Sequence, residues 1–256
     1  MTYRIAFFDI DGTLVSFKTH AMSESTKRAL DILRRNGIKI VISTGRSYTE
    51  MPVELRNGFD AYATKNGQRC FCGRELYRDV ALDPSDVAVI VDQVREGRYD
   101  VLVTLGDREF VNALSPRAVK LSEQVKITYE VDDIQLALEN PVYQFCVFVD
   151  PVDEQQFLCK MKASTTTRWT PLACDVVPIQ GGKNYGVRAT LDYFGLTPEE
   201  AIAFGDGDND LSMLQAVGTG VAMGNAGDRL KAAADYVTDD VDSDGLWNAC
   251  RHFGLV

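Results

Sequence analysis

The chain has no apolar run long enough to cross a bilayer. Ile5–Phe8 and Ile38–Ile42 are among its longest apolar stretches, and a membrane span needs roughly 20 residues. Nor does an apolar signal segment with a small-residue cleavage site open it, so export and membrane insertion are not expected and a cytoplasmic location is. It also lacks an excess of positive charge. Lys and Arg total 27 against 37 Asp and Glu, a formal charge of −10, which argues against a nucleic-acid or anionic-membrane partner. Any phosphate it binds has to be met by local groups. The six cysteines form no C-x-x-C pair and no spacing that suggests a zinc site, only His20 and His252 could add imidazole ligands, and reduced, mostly packed thiols are expected. There is no internal repeat and no low-complexity tract.

What is present is an ordinary globular composition, 45% hydrophobic and 25% charged over 256 residues, enough for one large or two modest domains. Arg4–Ile10 is an almost continuous apolar run that ends in acidic residues, the pattern of a parallel strand buried on both faces. Ser23–Arg35 sets Ala29, Leu30 and Leu33 at helical spacing, opens on a capping serine and stops at Gly37 before a second strand, Ile38–Ser43. A third strand, Ala61–Thr64, ends at the turn pair Asn66–Gly67, and a hairpin through Gly73 follows.

From about Asp83 the pattern changes. Val101–Thr104, Glu109–Ala113, Tyr143–Val149 and Asp175–Ile179 are strand-like, with helices near Ser85–Arg95 and Asp153–Ala163. After Gly181–Gly182 the first style returns: a helix at Tyr185–Phe194, a strand at Ala201–Phe204, a helix at Leu211–Ala216, and short strands at Gly220–Ala222 and Tyr236–Val237. The expected fold class is therefore α/β. A Rossmann-like doubly wound parallel sheet, residues 1–82 and 180–256, carries an inserted α+β cap, residues 83–179. Two linkers between the same pair of domains would permit hinge closure.

Four segments carry chemistry. In Asp9-Ile10-Asp11-Gly12-Thr13 two carboxylates leave a strand two residues apart, so that one can attack while the other moves a proton; alone, the same pentapeptide also reads as an acidic turn. Gly205-Asp206-Gly207-Asp208-Asn209-Asp210 gathers hard oxygen donors after another apolar strand, which suits magnesium or calcium. An EF-hand starting at Asp206 would need glycine at Leu211 and glutamate at Val217, and fails at both. Ser43-Thr44-Gly45-Arg46 ends the second strand with a hydroxyl and exposed N–H groups, although taken alone it is a turn. Lys183 follows Gly181–Gly182 but is not a Walker A lysine, because Val177 and Asn184 occupy the required Gly and Ser/Thr positions. A lone lysine is usually solvated surface. In a doubly wound sheet, however, all four segments meet at one strand-end cleft, where Asp9, Asp11, Asp206 and Asp210 would repel one another unless a divalent cation and a lysine balanced them.

These four motifs, in this order over the full chain, resemble those of haloacid-dehalogenase-superfamily phosphatases, and the large insert resembles the type IIB cap of the Cof-like subgroup. The resemblance implies a magnesium-dependent phosphoric monoester hydrolase acting on a small phosphorylated metabolite, a sugar phosphate or similar phosphomonoester. By the same resemblance Asp9 is the nucleophile that forms an aspartyl-phosphate, and Asp11 is the acid and then the base. Thr44, Gly45, Lys183 and Asn209 hold phosphate; Asp9, the Asp11 backbone carbonyl, Asp206 and Asp210 serve the metal. Asn66–Gly67 resembles a pair the subgroup carries just before its cap, with no chemical duty attached. Specificity is expected from the cap, where Asp107, Arg168 and Trp169 are candidates that no pattern supports. A phosphomutase of the same superfamily uses the same nucleophile and acid and stands as the alternative. A receiver-type signalling module is disfavoured by the insert. A monomer or small homo-oligomer is expected.

Overall fold

The computed structural model of the chain describes residues 3–106, 108–125, 127–154 and 159–256. In chain order its elements are β1 Ile5–Phe8, α1 Glu24–Arg35, β2 Lys39–Ser43, β3 Ala61–Thr64, β4 Arg69–Cys72, β5 Glu75–Asp79, α2 Pro84–Arg95, β6 Val101–Thr104, β7 Glu109–Val111, α3 Pro116–Val125, α4 Leu136–Glu139, β8 Gln144–Val147, β9 Ser164–Thr170, β10 Ala173–Pro178, α5 Lys183–Phe194, β11 Ala201–Gly205, α6 Leu211–Leu214, β12 Thr219–Ala222, α7 Asp228–Ala233, β13 Tyr236–Val237 and α8 Gly245–His252. The chain divides into two compact units, Met1–Asp79 with Gly182–Val256, and Val80–Gly181.

The first unit is built on an eight-stranded sheet ordered β13-β12-β11-β1-β2-β3-β4-β5. The six strands from β13 to β3 pair in parallel, and β4 and β5 add an antiparallel hairpin at one edge. Counting only the parallel strands, this is the doubly wound order in which the succession of strands reverses between β1 and β11, and ligands of such sheets bind beyond the strand ends at that reversal.

The pleat explains why β1 is apolar throughout. Ala6 and Phe8 point into one layer with Leu30 and Leu33 of α1 and Leu246 and Ala249 of α8, while Ile5 and Phe7 point into the other with Val187 and Leu191 of α5. Both faces of the strand are buried, so no polar alternation is possible. Phe8 and Phe204 sit in register on β1 and β11, with their rings stacked 5.1 Å apart. Helix α1 begins where Ser23 accepts a bond from the Thr26 N–H, and it carries Glu24 in its first turn and Arg34 and Arg35 in its last, in accord with the helix dipole.

The second unit holds a five-stranded antiparallel sheet, β7-β6-β8-β10-β9. Ile90 and Val91 of α2 pack with Val101, Val103, Phe145 and Val176, and Ala118 and Leu121 of α3 pack with Leu102 and Cys146, which point the other way. Asp86, buried in the first turn of α2, accepts bonds from the Lys162 and Ala163 N–H groups and the Ser164 hydroxyl, fixing the entry to β9. Sequence periodicity misses β9 and α3. The first is a polar edge strand, and the second contributes Ala118 and Leu121 alone among its described residues to the core. Of the helix expected near Asp153–Ala163, residues 155–158 lie outside the described residues; Pro151–Asp153 form a 3-10 turn and residues 159–163 are turn and bend rather than helix. Cys70, Cys146, Cys174 and Cys250 are buried thiols outside any disulfide. Among the described residues no helix is long and apolar enough to cross a membrane.

One close contact in the first unit has no side chain in it. Gly67 lies at φ +80°, and a Cβ there would stand 2.7 Å from the Gly182 carbonyl oxygen; a Cβ on Gly186, in the first turn of α5, would stand 2.7 Å from the Gly67 Cα. In an ordinary helix Gly→Ala gains about 1 kcal/mol. Here Gly186→Ala is expected to reverse that sign and lower stability in urea denaturation, because backbone must move to admit the methyl. A gain in stability would mean that α5 can back away from the β3–β4 turn at no cost.

Candidate active site

Each motif expected to carry chemistry lies at the carboxyl edge of the parallel strands or faces it. Asp9 directly follows β1, Thr44 follows β2, Asp206 follows β11, and Lys183 is the first residue of α5. The Asp9 N–H donates to the Phe204 carbonyl at 3.0 Å, which carries the β1–β11 pairing one residue beyond the strand. The two strands flanking the reversal therefore deliver Asp9 and Asp206 side by side.

Lys183 is the centre of the site. Its ammonium is fully buried and donates at 2.5 Å to Asp9 Oδ1 and at 2.5 Å to Asp210 Oδ1. Burial pushes the Lys183 pKa down, but the charges of Asp210 and Asp9 outweigh it and hold the ammonium protonated. Asp9 shows the opposite balance. Burial raises its carboxyl, Lys183 pulls it back, Asp210 raises it again, and the net position is about 7. The other oxygen of Asp210 accepts from the Asp206 N–H at 3.0 Å and the Gly207 N–H at 2.9 Å. Both Asp210 oxygens are thus committed to holding the lysine and shaping the 3-10 turn Asp208–Asp210.

Asp206 is half-buried, and burial lifts its carboxyl to about 6 against the Thr13 bond that lowers it. The Thr13 hydroxyl donates to Asp206 Oδ1 at 3.0 Å, and the Asn225 side-chain N–H donates to Oδ2 at 3.2 Å and to the Gly12 carbonyl at 2.8 Å. Gly12, at φ +81°, leaves room for this carboxylate, since a Cβ there would meet Asp206 Oδ2 at 2.1 Å. One ligand oxygen each from Asp9, Asp206 and Asp210 lies within 4.8 Å of the others. Against three carboxylates Lys183 supplies one positive charge, and all the donors are hard oxygens. That set fits a hard divalent cation and no soft one.

The Asp11 side chain is not part of this cluster. Arg46 grips it in a two-point fork, Nε to Oδ2 at 2.7 Å and Nη2 to Oδ1 at 2.8 Å, and also donates to the Glu50 carbonyl at 3.0 Å. Thr44 is buried, and its hydroxyl oxygen accepts from the Arg46 N–H at 3.2 Å, which leaves its own O–H to donate. The Gly45 N–H has no partner among the described residues. Asn209 is exposed and donates to Asn66 Oδ1 at 3.1 Å. The structure thus gathers Asp9, Lys183, Asp206 and Asp210 directly, and turns Asp11 toward Arg46.

Sequence reasoning assigns no duty to Arg46, Thr13, Asn66 or Asn225. The first three were legible as polar residues within or beside the motifs, and Asn225 as a polar residue just past β12. Of the candidates in the second unit, Arg168 pairs with Glu154 at 2.5 Å and donates to the Val149 carbonyl at 3.1 Å, so its guanidinium is engaged within that unit. Its pair with Glu154 is largely covered, at 19% exposure on each side, rather than the surface ion pair such residues usually make. Asp107 lies outside the described residues.

The sequence model of the haloacid dehalogenase-like hydrolases matches residues 6–250. Over all of both chains the protein is 30% identical to YkrA of Bacillus subtilis (strain 168), whose name classes it with phosphatases. The solved structure of BT1666 from Bacteroides thetaiotaomicron, studied among phosphatases of the same superfamily, is 35% identical, with a TM-score of 0.93 over 100% of this chain and 96% of that one. BT4131, described as a subclass IIB sugar phosphatase, is 33% identical, with a TM-score of 0.85 over 99% and 100% of the two chains.

The charge balance generates a pH signature. Asp9 and Asp206 sit above the ordinary value of 3.8, at about 7 and about 6, so between those limits the folded chain holds protons that the unfolded chain has released. Stability from these groups is present at low pH and lost as pH rises through 6 and 7. In chelator the urea midpoint is expected to fall from about pH 5 to about pH 8 on this account, and added magnesium to restore it increasingly toward the upper end. A magnesium effect independent of pH would contradict the assignment. Lys183→Met, which strands two buried carboxylates against each other, is expected to cost roughly 3–5 kcal/mol under chelator.

Proposed function

The chain belongs to the haloacid dehalogenase-like hydrolase family and is a phosphatase, and on that premise we propose that it hydrolyses a small phosphorylated metabolite, a sugar phosphate or similar phosphomonoester, through an aspartyl-phosphate on Asp9, with magnesium as cofactor. The observation that carries this reading is the buried Lys183 ammonium shared by Asp9 and Asp210 beside Asp206, at the strand ends where the sheet reverses. It supports a nucleophilic carboxylate held in a site made for anionic oxygens.

In the proposed reaction an Asp9 carboxylate oxygen attacks phosphorus in line, and the bond from phosphorus to the leaving oxygen breaks. Asp11 passes its proton to that oxygen as the alcohol departs. Water then attacks the aspartyl-phosphate, Asp11 takes the water's proton, and phosphate leaves with the Asp9 carboxylate restored. Lys183, the Thr44 hydroxyl, the Gly45 N–H and Asn209 hold the phosphoryl oxygens through both halves. The Asp11 carboxylate has to leave the Arg46 fork and take up a proton from water before it can serve the departing oxygen. When bound, magnesium would supply positive charge against the phosphoryl oxygens; the Asp9 and Asp206 carboxylates and the Asp11 backbone carbonyl would hold it, with Asp210, whose oxygens are already engaged, serving from behind. The residues of the second unit, Val80–Gly181, are proposed to select the substrate. The sugar phosphatase BT4131 among the similar structures supports that substrate class.

Phosphate release from a panel of sugar phosphates, nucleotides and cofactor phosphates, with magnesium and with chelator, tests the reading. Asp9→Asn is expected to lower kcat by roughly 10³-fold or more while folding normally, and Asp206→Ala to raise the magnesium concentration needed for half-maximal rate. Full turnover by Asp9→Asn would sink the mechanism, and an unchanged metal titration would sink the ligand assignment.

A further inference from the structure

Lys65, Asn66 and Gly67 form a run of three left-handed residues between β3 and β4, at φ 50°, 52° and 80°. A non-glycine residue seldom stays in that region unless its surroundings hold it there, and asparagine tolerates it better than most. Asn66 is held on every side. Its N–H donates to the Thr44 carbonyl at 2.9 Å, and its carbonyl accepts from the Gly182 N–H at 3.0 Å, one residue before Lys183. Its side-chain Oδ1 accepts from Asn209 Nδ2 at 3.1 Å. The same carboxamide lies against Gly45, where a Cβ would stand 3.3 Å from Oδ1. One residue therefore touches the ends of three segments that the proposed function assigns to phosphate.

We propose that Asn66 is a positioning residue whose side chain sets Asn209 and the Gly45 turn for the phosphoryl group. The choice of residue follows from two demands. Glycine would satisfy the backbone but offers Asn209 no acceptor. Aspartate would offer an acceptor but would add a negative charge beside the phosphate. Asparagine supplies a neutral acceptor from a left-handed backbone. This inference rests on the phosphatase reading of the site, since it assigns Asn66 a duty toward groups that hold phosphate.

Asn66→Gly separates the two roles. It keeps both backbone hydrogen bonds and relieves the left-handed conformation, so the thermal midpoint should stay or rise, and the side chain alone is lost. With p-nitrophenyl phosphate as the probe, KM and the inhibition constant of inorganic phosphate should both rise roughly tenfold with kcat nearly unchanged, the mark of lost binding common to ground and transition states. Asn209→Ala should also raise KM, and the double variant should lose less than the product of the two single losses, because part of what Asn66 does passes through Asn209. Wild-type KM and phosphate inhibition in Asn66→Gly, or losses that add in the double variant, would overturn the inference. Retained turnover in Asp9→Asn, assayed beside them, would instead overturn the phosphatase reading, so the two failures are distinguishable.

Discussion

One buried ammonium holds this site together. Lys183 has no exposure to water and bridges Asp9, at the end of β1, to Asp210, in the turn after β11. Desolvating a carboxylate or an ammonium alone costs several kcal/mol, and the cost is recovered only by close, well-directed partners. The geometry meets that condition with two charge-assisted bonds from a single nitrogen. Lysine at the first position of a helix is also the wrong sign for the helix dipole. The local rule is broken here because the strand-end carboxylates, and not the helix, decide the charge at that spot, which is where functional sites depart from local preference.

Placing that ammonium constrains the rest of the unit. Helix α5 must start close under the strand ends, and the contact between Gly67 and Gly186 allows its first turn to approach the β3–β4 turn backbone to backbone. The Gly182 N–H bound to the Asn66 carbonyl fixes the same junction from the other side. The sheet order supplies the final constraint, because only the strands flanking the reversal, β1 and β11, can bring Asp9 and Asp206 together. A continuous winding would have put another crossover helix over that gap.

The legible part of the sequence was the part governed by periodicity. Runs such as Ile5–Phe8 and Ala201–Phe204 announce buried parallel strands because both faces must be apolar, and the acidic residues that end them mark the cleft. The α1 boundary was readable from Ser23, whose capping bond is a local event. What stayed hidden depends on contacts between distant residues or on edges. Strand β9 carries threonines along a sheet edge and has no apolar alternation to reveal it. The Asp11–Arg46 fork spans 35 positions, and Asn225 reaches Asp206 across a loop. No local pattern encodes either pairing. Asn66 was visible as a turn residue, but its bond to Asn209 joins positions 143 apart, and only the folded chain reveals what the turn is for.

On the proposed function, the arrangement also accounts for how a chain of net charge −10 would hold a phosphate. Asp9, Asp11, Asp206 and Asp210 bring four negative charges to the strand ends, and Lys183 and Arg46 return two. A site left at −2 would repel a phosphate dianion, whereas one divalent cation among Asp9, Asp206 and Asp210 would bring the ledger to neutrality. At neutrality, on the proposed function, neutral donors such as the buried Thr44 hydroxyl and the Gly45 N–H would hold the anion without competing against a fixed negative field. The fork on Asp11 fits the same balance. The guanidinium compensates that carboxylate in the fork, and on the proposed mechanism it would be left free to face the phosphate when Asp11 turns to the leaving oxygen.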